Sequence, residues 1–135
     1  MKKGQGNPFR REALFGGKGE VLVWDLLGAQ RLHPFTAVLA CELEAGGSVG
    51  RHVQSDFAEI VVFTEGEGLV RVGGAEREVS EGSVIPLPLG QTLAIENRAA
   101  DRPLRYLIIK AAPERPAGAG TGGGGSGSGG GSGSG

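Results

Sequence analysis

The sequence predicts an all-β domain, either a sandwich or a barrel of short strands. From Glu20 onward, segments rich in Val, Ile, Leu and Phe are separated every eight to twelve residues by Gly, Pro or acidic turn signals. No segment after Glu20 keeps the apolar period of a helix, and five prolines between Pro34 and Pro113 interrupt the places where a helix would otherwise form. The spacing therefore favours strands over helices throughout this region.

Only the N-terminal segment carries a helix signal. Asn7 is a residue type that favours the N-cap position, and Pro8 suits the first helical position because the N–H that it lacks has no partner there. A short helix is therefore predicted from Asn7 to Leu14, ahead of the first strand.

Nine strands are predicted after this helix, and several show the two-residue alternation of a half-buried strand. In the second strand, alternate positions form one wholly apolar face made of Ala37, Leu39, Cys41 and Leu43. Cys41 is therefore predicted to be a core side chain. Gly73-Gly74 is the two-residue connection expected of a hairpin whose turn requires positive φ. The predicted strands span residues 21–27, 36–43, 51–54, 58–64, 69–72, 75–79, 83–86, 92–96 and 104–110.

Glycine makes up 27 of the 135 residues, and its distribution divides the chain. Twelve of these glycines lie in the last twenty residues, beside Ser, Ala, one Thr and one Pro, which is the composition of a flexible linker. We therefore predict an N-terminal arm over residues 1–18, one domain over residues 19–112 and a disordered Gly/Ser-rich tail over residues 113–135.

Charge and composition exclude several classes of function. A formal net charge of -1 without a dense Lys/Arg run provides no electrostatic footprint for a nucleic acid. No apolar stretch is long enough for a signal peptide or a membrane span, so we expect neither a nucleic-acid nor a membrane partner. The single cysteine, Cys41, can form no internal disulfide, and the expected location is the reducing cytoplasm.

Two series of residues stand at fixed spacings in the middle of the chain. The first consists of Gly46, His52, Gln54, Glu59 and Gly66, and the second of Gly82, Pro88, Gly90, Leu93 and Asn97. They resemble the two signature motifs of the cupin superfamily, G(X)5HXH(X)3-4E(X)6G and G(X)5PXG(X)2H(X)3N, with the glycine framework complete. The resemblance covers about residues 19–110 and implies a small single-domain cupin, a jelly-roll β-barrel (double-stranded β-helix) of two antiparallel sheets.

Departures from the motifs bear on the metal site that the resemblance implies. Cupins of this pattern hold a divalent metal with histidines and one glutamate that project into the barrel. His52 and Glu59 match two of these positions, whereas Gln54 and Leu93 stand where the family has histidines. Because firm binding of a transition metal needs three or four good ligands, the implied site is incomplete. We expect either no metal or a weakly held divalent transition metal at His52, Gln54 and Glu59.

A ligand pocket is predicted from the same strands. If Glu59 faces the barrel interior, the two-residue period turns Val61 and Phe63 inward as well. A largely apolar wall with a small polar cluster suits a small organic molecule. The predicted pocket residues are His52, Gln54, Glu59, Val61, Phe63 and Leu93.

Three functions are compatible with the sequence, and whether the protein is an enzyme stays open. The leading hypothesis is a cupin of unassigned activity that binds a small organic ligand in its barrel. The second is a metal-dependent enzyme of dioxygenase, isomerase, decarboxylase or lyase type that uses His52, Gln54 and Glu59, with a metal-free variant in which His52 and Glu59 form an acid–base pair. The third is a dimeric structural or docking module, because the resemblance implies a homodimer formed through N-terminal strands and the apolar edge 21–24 needs covering.

Overall fold

A computed structural model describes residues 6–113 of the chain. They form ten strands, and a 3-10 turn, Leu14–Gly16, connects the first two. The strands are β1 (Phe9–Glu12), β2 (Glu20–Asp25), β3 (Phe35–Leu43), β4 (Ser48–Val53), β5 (Ala58–Glu65), β6 (Glu67–Val72), β7 (Ala75–Ser80), β8 (Val84–Leu87), β9 (Thr92–Glu96) and β10 (Leu104–Ala111).

The ten strands form two antiparallel sheets. One sheet has six strands in the order β1-β2-β3-β10-β5-β8, and the other has four in the order β4-β9-β6-β7. Inward side chains from both sheets, among them Leu43, Phe63, Val70 and Ile95, pack into one hydrophobic core. The predicted all-β jelly roll of two antiparallel sheets is confirmed.

The four motif glycines lie at turns that set where strands begin. Their φ angles fall between 72° and 94°, a region that residues with a Cβ rarely adopt. Each of these glycines lies one or two residues before the start of a strand, and the four strands are β4, β6, β8 and β9. The regular spacing in the sequence therefore reflects the spacing of turns in the barrel. These glycines are Gly46, Gly66, Gly82 and Gly90.

The nine predicted strands correspond to β2 through β10, with shifts at their ends. The largest shift is in β4, which begins at Ser48 rather than at position 51. The hairpin at Gly73-Gly74 is confirmed, since Val72 pairs with Ala75 across it. Cys41 is buried in the core, as the alternation in β3 predicts.

The predicted helix over Asn7 to Leu14 is wrong, because this segment pairs with the edge of the six-stranded sheet. Phe9 is the Cα partner of Val23, and the pairing continues through β1. Backbone pairing with an existing strand outweighs a weak pair of capping signals. The interpretation of 21–24 as an uncovered edge is wrong for the same reason, since β2 lies between β1 and β3.

The division into an arm, a domain and a tail stays a prediction. Residues 1–5 of the arm and residues 114–135 of the tail lie outside the described residues. Within residues 6–113, no helix is long and apolar enough to span a membrane.

Candidate functional site

A cavity of about 540 Å³ opens between the two sheets. Its walls are mainly apolar, with side chains such as Val23, Leu39 and Ile108 from the six-stranded sheet and Leu93 and Ile95 from the four-stranded sheet. The size and composition are typical of a small-molecule site. The charged or strongly polar side chains that line it are Arg11, His52, Gln54, Asp56, Glu59 and Lys110.

A β-bulge in β4 determines which of its side chains reach the cavity. Val49 pairs with Ile95 and His52 pairs with Leu93, so two residues of β4 stand opposite one residue of β9. Val49 and His52 both line the cavity, whereas Arg51 between them is exposed. Without the bulge, plain alternation would place Arg51 opposite Leu93.

The His52 ring is held at one edge and on one face. Its Nδ1 lies 2.9 Å from the carbonyl oxygen of Gly50. Because a carbonyl only accepts, Nδ1 carries the proton, and in the neutral ring Nε2 keeps a lone pair. The Phe15 ring stacks on the imidazole, with centroids 3.9 Å apart and an interplanar angle of 12°. Burial lowers the pKa of His52 below its ordinary value and so favours the neutral ring.

Gln54 follows β4, lines the cavity and carries a buried side-chain group without a partner among the described residues. Its backbone is fixed on both sides, since its N–H donates to the Gln91 carbonyl at 2.9 Å and its carbonyl accepts from the Gly90 N–H at 2.7 Å. The residue is only 5% exposed, and its Nε2 has no hydrogen-bond partner in the part of the chain that the structure describes. A buried amide N–H without an acceptor costs about 1–3 kcal/mol relative to one that is paired.

Glu59 and Lys110 face each other on the opposite wall. They are Cα partners on β5 and β10, and Lys110 Nζ lies 3.7 Å from Glu59 Oε2. Burial raises the pKa of Glu59 above its ordinary value, although the neighbouring Lys110 acts in the opposite direction. The Lys110 side chain is 31% exposed and lines the cavity.

Two further ionisable groups on this wall stay neutral near physiological pH. Cys41 and Tyr106 are Cα partners on β3 and β10, and both line the cavity. Burial, with a smaller contribution from Glu59, raises the pKa of the Cys41 thiol to about 12. Burial also raises the pKa of Tyr106 well above its ordinary value. Neither group is ionised enough to serve as a nucleophile without a further change.

The structure brings four of the six predicted pocket residues to the cavity. His52, Gln54, Glu59 and Leu93 line it. Val61 and Phe63 also point inward, but they lie in the packed core away from the cavity surface, at 0% and 1% exposure.

The donor groups around the cavity do not fit a firmly held divalent metal. Within residues 6–113, no group of three or more His, Cys, Asp or Glu side chains is placed to hold an ion. His52 offers one nitrogen, the Glu59 carboxylate faces an ammonium group, and the Leu93 opposite His52 offers no lone pair. The orphaned group on Gln54 is an amide nitrogen, which is a donor and not a ligand.

Lys110 and Arg11 are cavity residues that the sequence analysis does not single out. Lys110 has a signal in the sequence, because Tyr106, Ile108 and Lys110 share one face of a strand by the period of two. Arg11 has none, since its place in the cavity wall depends on the pairing of β1 with β2.

The cupin domain family matches residues 39–110 of the chain. An oxalate-binding protein from Thermotoga maritima is 32% identical over 106 residues, a match that covers 72% of this chain and 88% of the relative.

Solved structures agree with this assignment. A predicted oxalate decarboxylase from Thermotoga maritima is 29% identical, with a TM-score of 0.74 and coverage of 79% of this chain and 93% of that one. A cupin 2 conserved barrel domain protein from Rhodopseudomonas palustris is 19% identical, with a TM-score of 0.64 and coverage of 82% and 72%, and shares the fold.

Proposed function

Because the chain belongs to the cupin family, we propose that it binds a small carboxylate, with oxalate as the leading candidate, in the cavity between its two sheets. The observation that carries this proposal is the buried Nε2 of Gln54, which has no partner among residues 6–113. Buried polar groups are normally hydrogen-bonded, so an orphaned donor on a residue of the cavity wall supports an acceptor supplied by a ligand or by a water that the ligand displaces.

The chemistry of Gln54 selects an acceptor ligand. Its Nε2 donates and cannot accept, so the ligand atom beside it must carry a lone pair. A carboxylate oxygen meets this requirement, and a hydrogen bond to a charged acceptor is roughly twice as strong as a neutral one. A wholly apolar ligand would leave the amide unsatisfied and is disfavoured.

Lys110 supplies the charge for an anionic ligand. Its ammonium group has three donors, and the contact with Glu59 at 3.7 Å occupies at most one of them. Arg11 adds a second cation to the cavity wall. Lys110 lies on the six-stranded sheet and Gln54 follows a strand of the other, so a ligand with two carboxylates would place one toward each.

His52 adds an acceptor to the same cavity. With Nδ1 donating to Gly50, the neutral ring presents an Nε2 lone pair. Oxalate as a dianion has no donor for this lone pair, so a contact there would take up one proton, shared between Nε2 and a carboxylate oxygen. The name of the Thermotoga maritima relative, oxalate-binding protein, supports a small dicarboxylate as the ligand.

Titration calorimetry with chelator-treated protein tests this proposal. We expect oxalate to bind in a one-to-one complex, about tenfold or more tighter than oxamide, its neutral diamide of the same shape. Equal affinity for the two molecules, or no binding of oxalate, would overturn carboxylate recognition.

A metal-dependent cupin enzyme is the second candidate. The presence of His52 and Glu59 on one cavity favours it, as does the similarity to a predicted oxalate decarboxylase. Elemental analysis of protein purified without chelator separates the two candidates. Stoichiometric Mn, Fe, Ni, Cu or Zn, with oxalate binding only in the metal-loaded protein, would favour the enzyme.

A homodimer in the cytoplasm is the proposed setting for this function. Ile60 and Val84 on the neighbouring strands β5 and β8 are 43% and 49% exposed, and an exposed apolar patch of this kind supports an interface. Sedimentation equilibrium of the domain and fractionation of cells that contain it test the two parts separately.

A further inference from the structure

We infer that Phe15 is a positioning residue of the cavity, whose ring fixes the His52 imidazole so that Nε2 is presented to a ligand. The contact joins the turn after β1 to the ligand-facing strand β4. Its importance for ligand binding rests on the proposed function, whereas its effect on the His52 ring does not.

The stacking contact is close and nearly parallel although Phe15 is on the surface. The ring centroids lie 3.9 Å apart and the planes differ by 12°, while Phe15 is 55% exposed. An exposed aromatic ring gains little from burial in its own right. The geometry therefore points to a role for the ring at the histidine and not in the core.

The backbone at Phe15 is in an unfavourable conformation. Its φ and ψ angles are 54° and 34°, in the left-handed region, where the Cβ of a bulky residue is crowded against its own backbone. Ala13, two residues earlier, also has a positive φ of 52°. Such conformations persist only where surrounding contacts hold them, and they cluster at functional sites.

The contacts that hold this turn come from β4. The Lys18 N–H donates to the Ser48 carbonyl at 3.0 Å, and the Ser48 N–H donates back at 2.7 Å. Gly50 lets the Phe15 carbonyl approach, because a Cβ on Gly50 would lie only 1.9 Å from that oxygen. The same glycine accepts the hydrogen bond from His52 Nδ1, so one residue serves both the turn and the imidazole.

The two contacts on His52 are complementary. The hydrogen bond to Gly50 identifies which nitrogen is protonated, but a single bond at the ring edge leaves the ring free to tilt about it. The flat contact with Phe15 blocks one face and removes this freedom. Together they keep the Nε2 lone pair directed away from Gly50.

Phe15→Ala is the test, with Phe9→Ala as its matched control. Phe9 lines the same cavity and is equally exposed, at 54%, but its ring lies against Arg11 and not His52. Nitrogen chemical shifts of the His52 ring are read at pH 8, where the ring is neutral and its tautomer is visible. Oxalate affinity and thermal unfolding are measured on the same samples.

We expect Phe15→Ala to convert the single Nδ1–H tautomer into a mixture and to weaken oxalate binding about fivefold, because the ring no longer holds Nε2 toward the proton that it would share with oxalate. Phe15→Tyr retains the ring and is expected to restore both properties, and Phe9→Ala is expected to leave the tautomer unchanged. A single tautomer in folded Phe15→Ala protein would overturn the inference. If the unaltered protein binds no oxalate, the proposed function fails, while the tautomer still decides the role of Phe15.

Discussion

The two walls of the cavity differ in how their polar groups are satisfied. On the six-stranded sheet, Glu59 and Lys110 face each other as an ion pair. On the wall continued from the four-stranded sheet, the His52 ring contacts the Gly50 carbonyl, and the amide nitrogen of Gln54 has no partner within residues 6–113. The comparison indicates that the charges on the first wall balance each other although Lys110 keeps donors for an anion, whereas the second wall holds a donor that the described residues leave unpaired.

Thiol labelling at Cys41 tests how strongly the wall on the six-stranded sheet shields its groups from water. With a pKa of about 12 against an ordinary 9.0, the thiolate fraction at pH 8 is roughly a thousandfold smaller than in the unfolded chain. We expect a disulfide reagent to label the native protein at least that much more slowly than the urea-unfolded protein. Labelling of the native protein within seconds at pH 8 would contradict this shielding of the thiol.

Replacement of Lys110 is expected to have the next largest effect, because it removes the charge that an anion needs. Lys110→Met should weaken oxalate binding by about 100-fold. Part of this loss comes from the missing cation and part from the Glu59 carboxylate that is left unpaired. The double variant Glu59→Gln/Lys110→Met removes both charges and separates these contributions. Calorimetry on both variants is the measurement, and Lys110→Arg is the charge-retaining control. Unchanged affinity in Lys110→Met would place the anion elsewhere.

Gln54→Leu tests the second wall and has two effects of opposite sign. Loss of the donor should weaken oxalate binding about tenfold, while removal of a buried unsatisfied amide should raise the free energy of unfolding by about 1 kcal/mol without ligand. Urea unfolding and calorimetry measure the two effects. The matched control is Gln91→Leu, because the Gln91 side chain accepts from the Thr92 N–H and its loss should only destabilise. A less stable Gln54→Leu protein would show that the amide is already satisfied.

Much of the fold could be predicted from the sequence because each strand from β2 to β10 has its own local signal. Apolar alternation marks β3, and Gly73-Gly74 marks the β6–β7 hairpin. β1 has no such signal, since all four of its side chains are exposed and it is joined to β2 by backbone pairing and by one ion pair, between Arg10 and Glu20. An edge strand of this kind is specified by its neighbour, which single-sequence patterns do not contain.

The candidate site divides in the same way. His52, Gln54 and Glu59 could be placed together because they share motif spacings with a known family. Lys110 could be placed inward by alternation, but its position against Glu59 depends on β10 lying between β3 and β5, a pairing between distant parts of the chain. The contact between Phe15 and His52 depends on a backbone conformation that local preferences oppose.

The bulge in β4 is reflected in the number of residues between two motif positions. The five residues between Gly46 and His52 include the extra one that the bulge absorbs, so the motif length encodes a departure from regular pairing. A straight strand of the same sequence would offer a permanent cation, Arg51, at the point where a titratable imidazole now stands. The charge of the ligand site therefore depends on the length of this segment as well as on the residue types in it. Relatives of different spacing are best compared by pairing partner and not by alignment column.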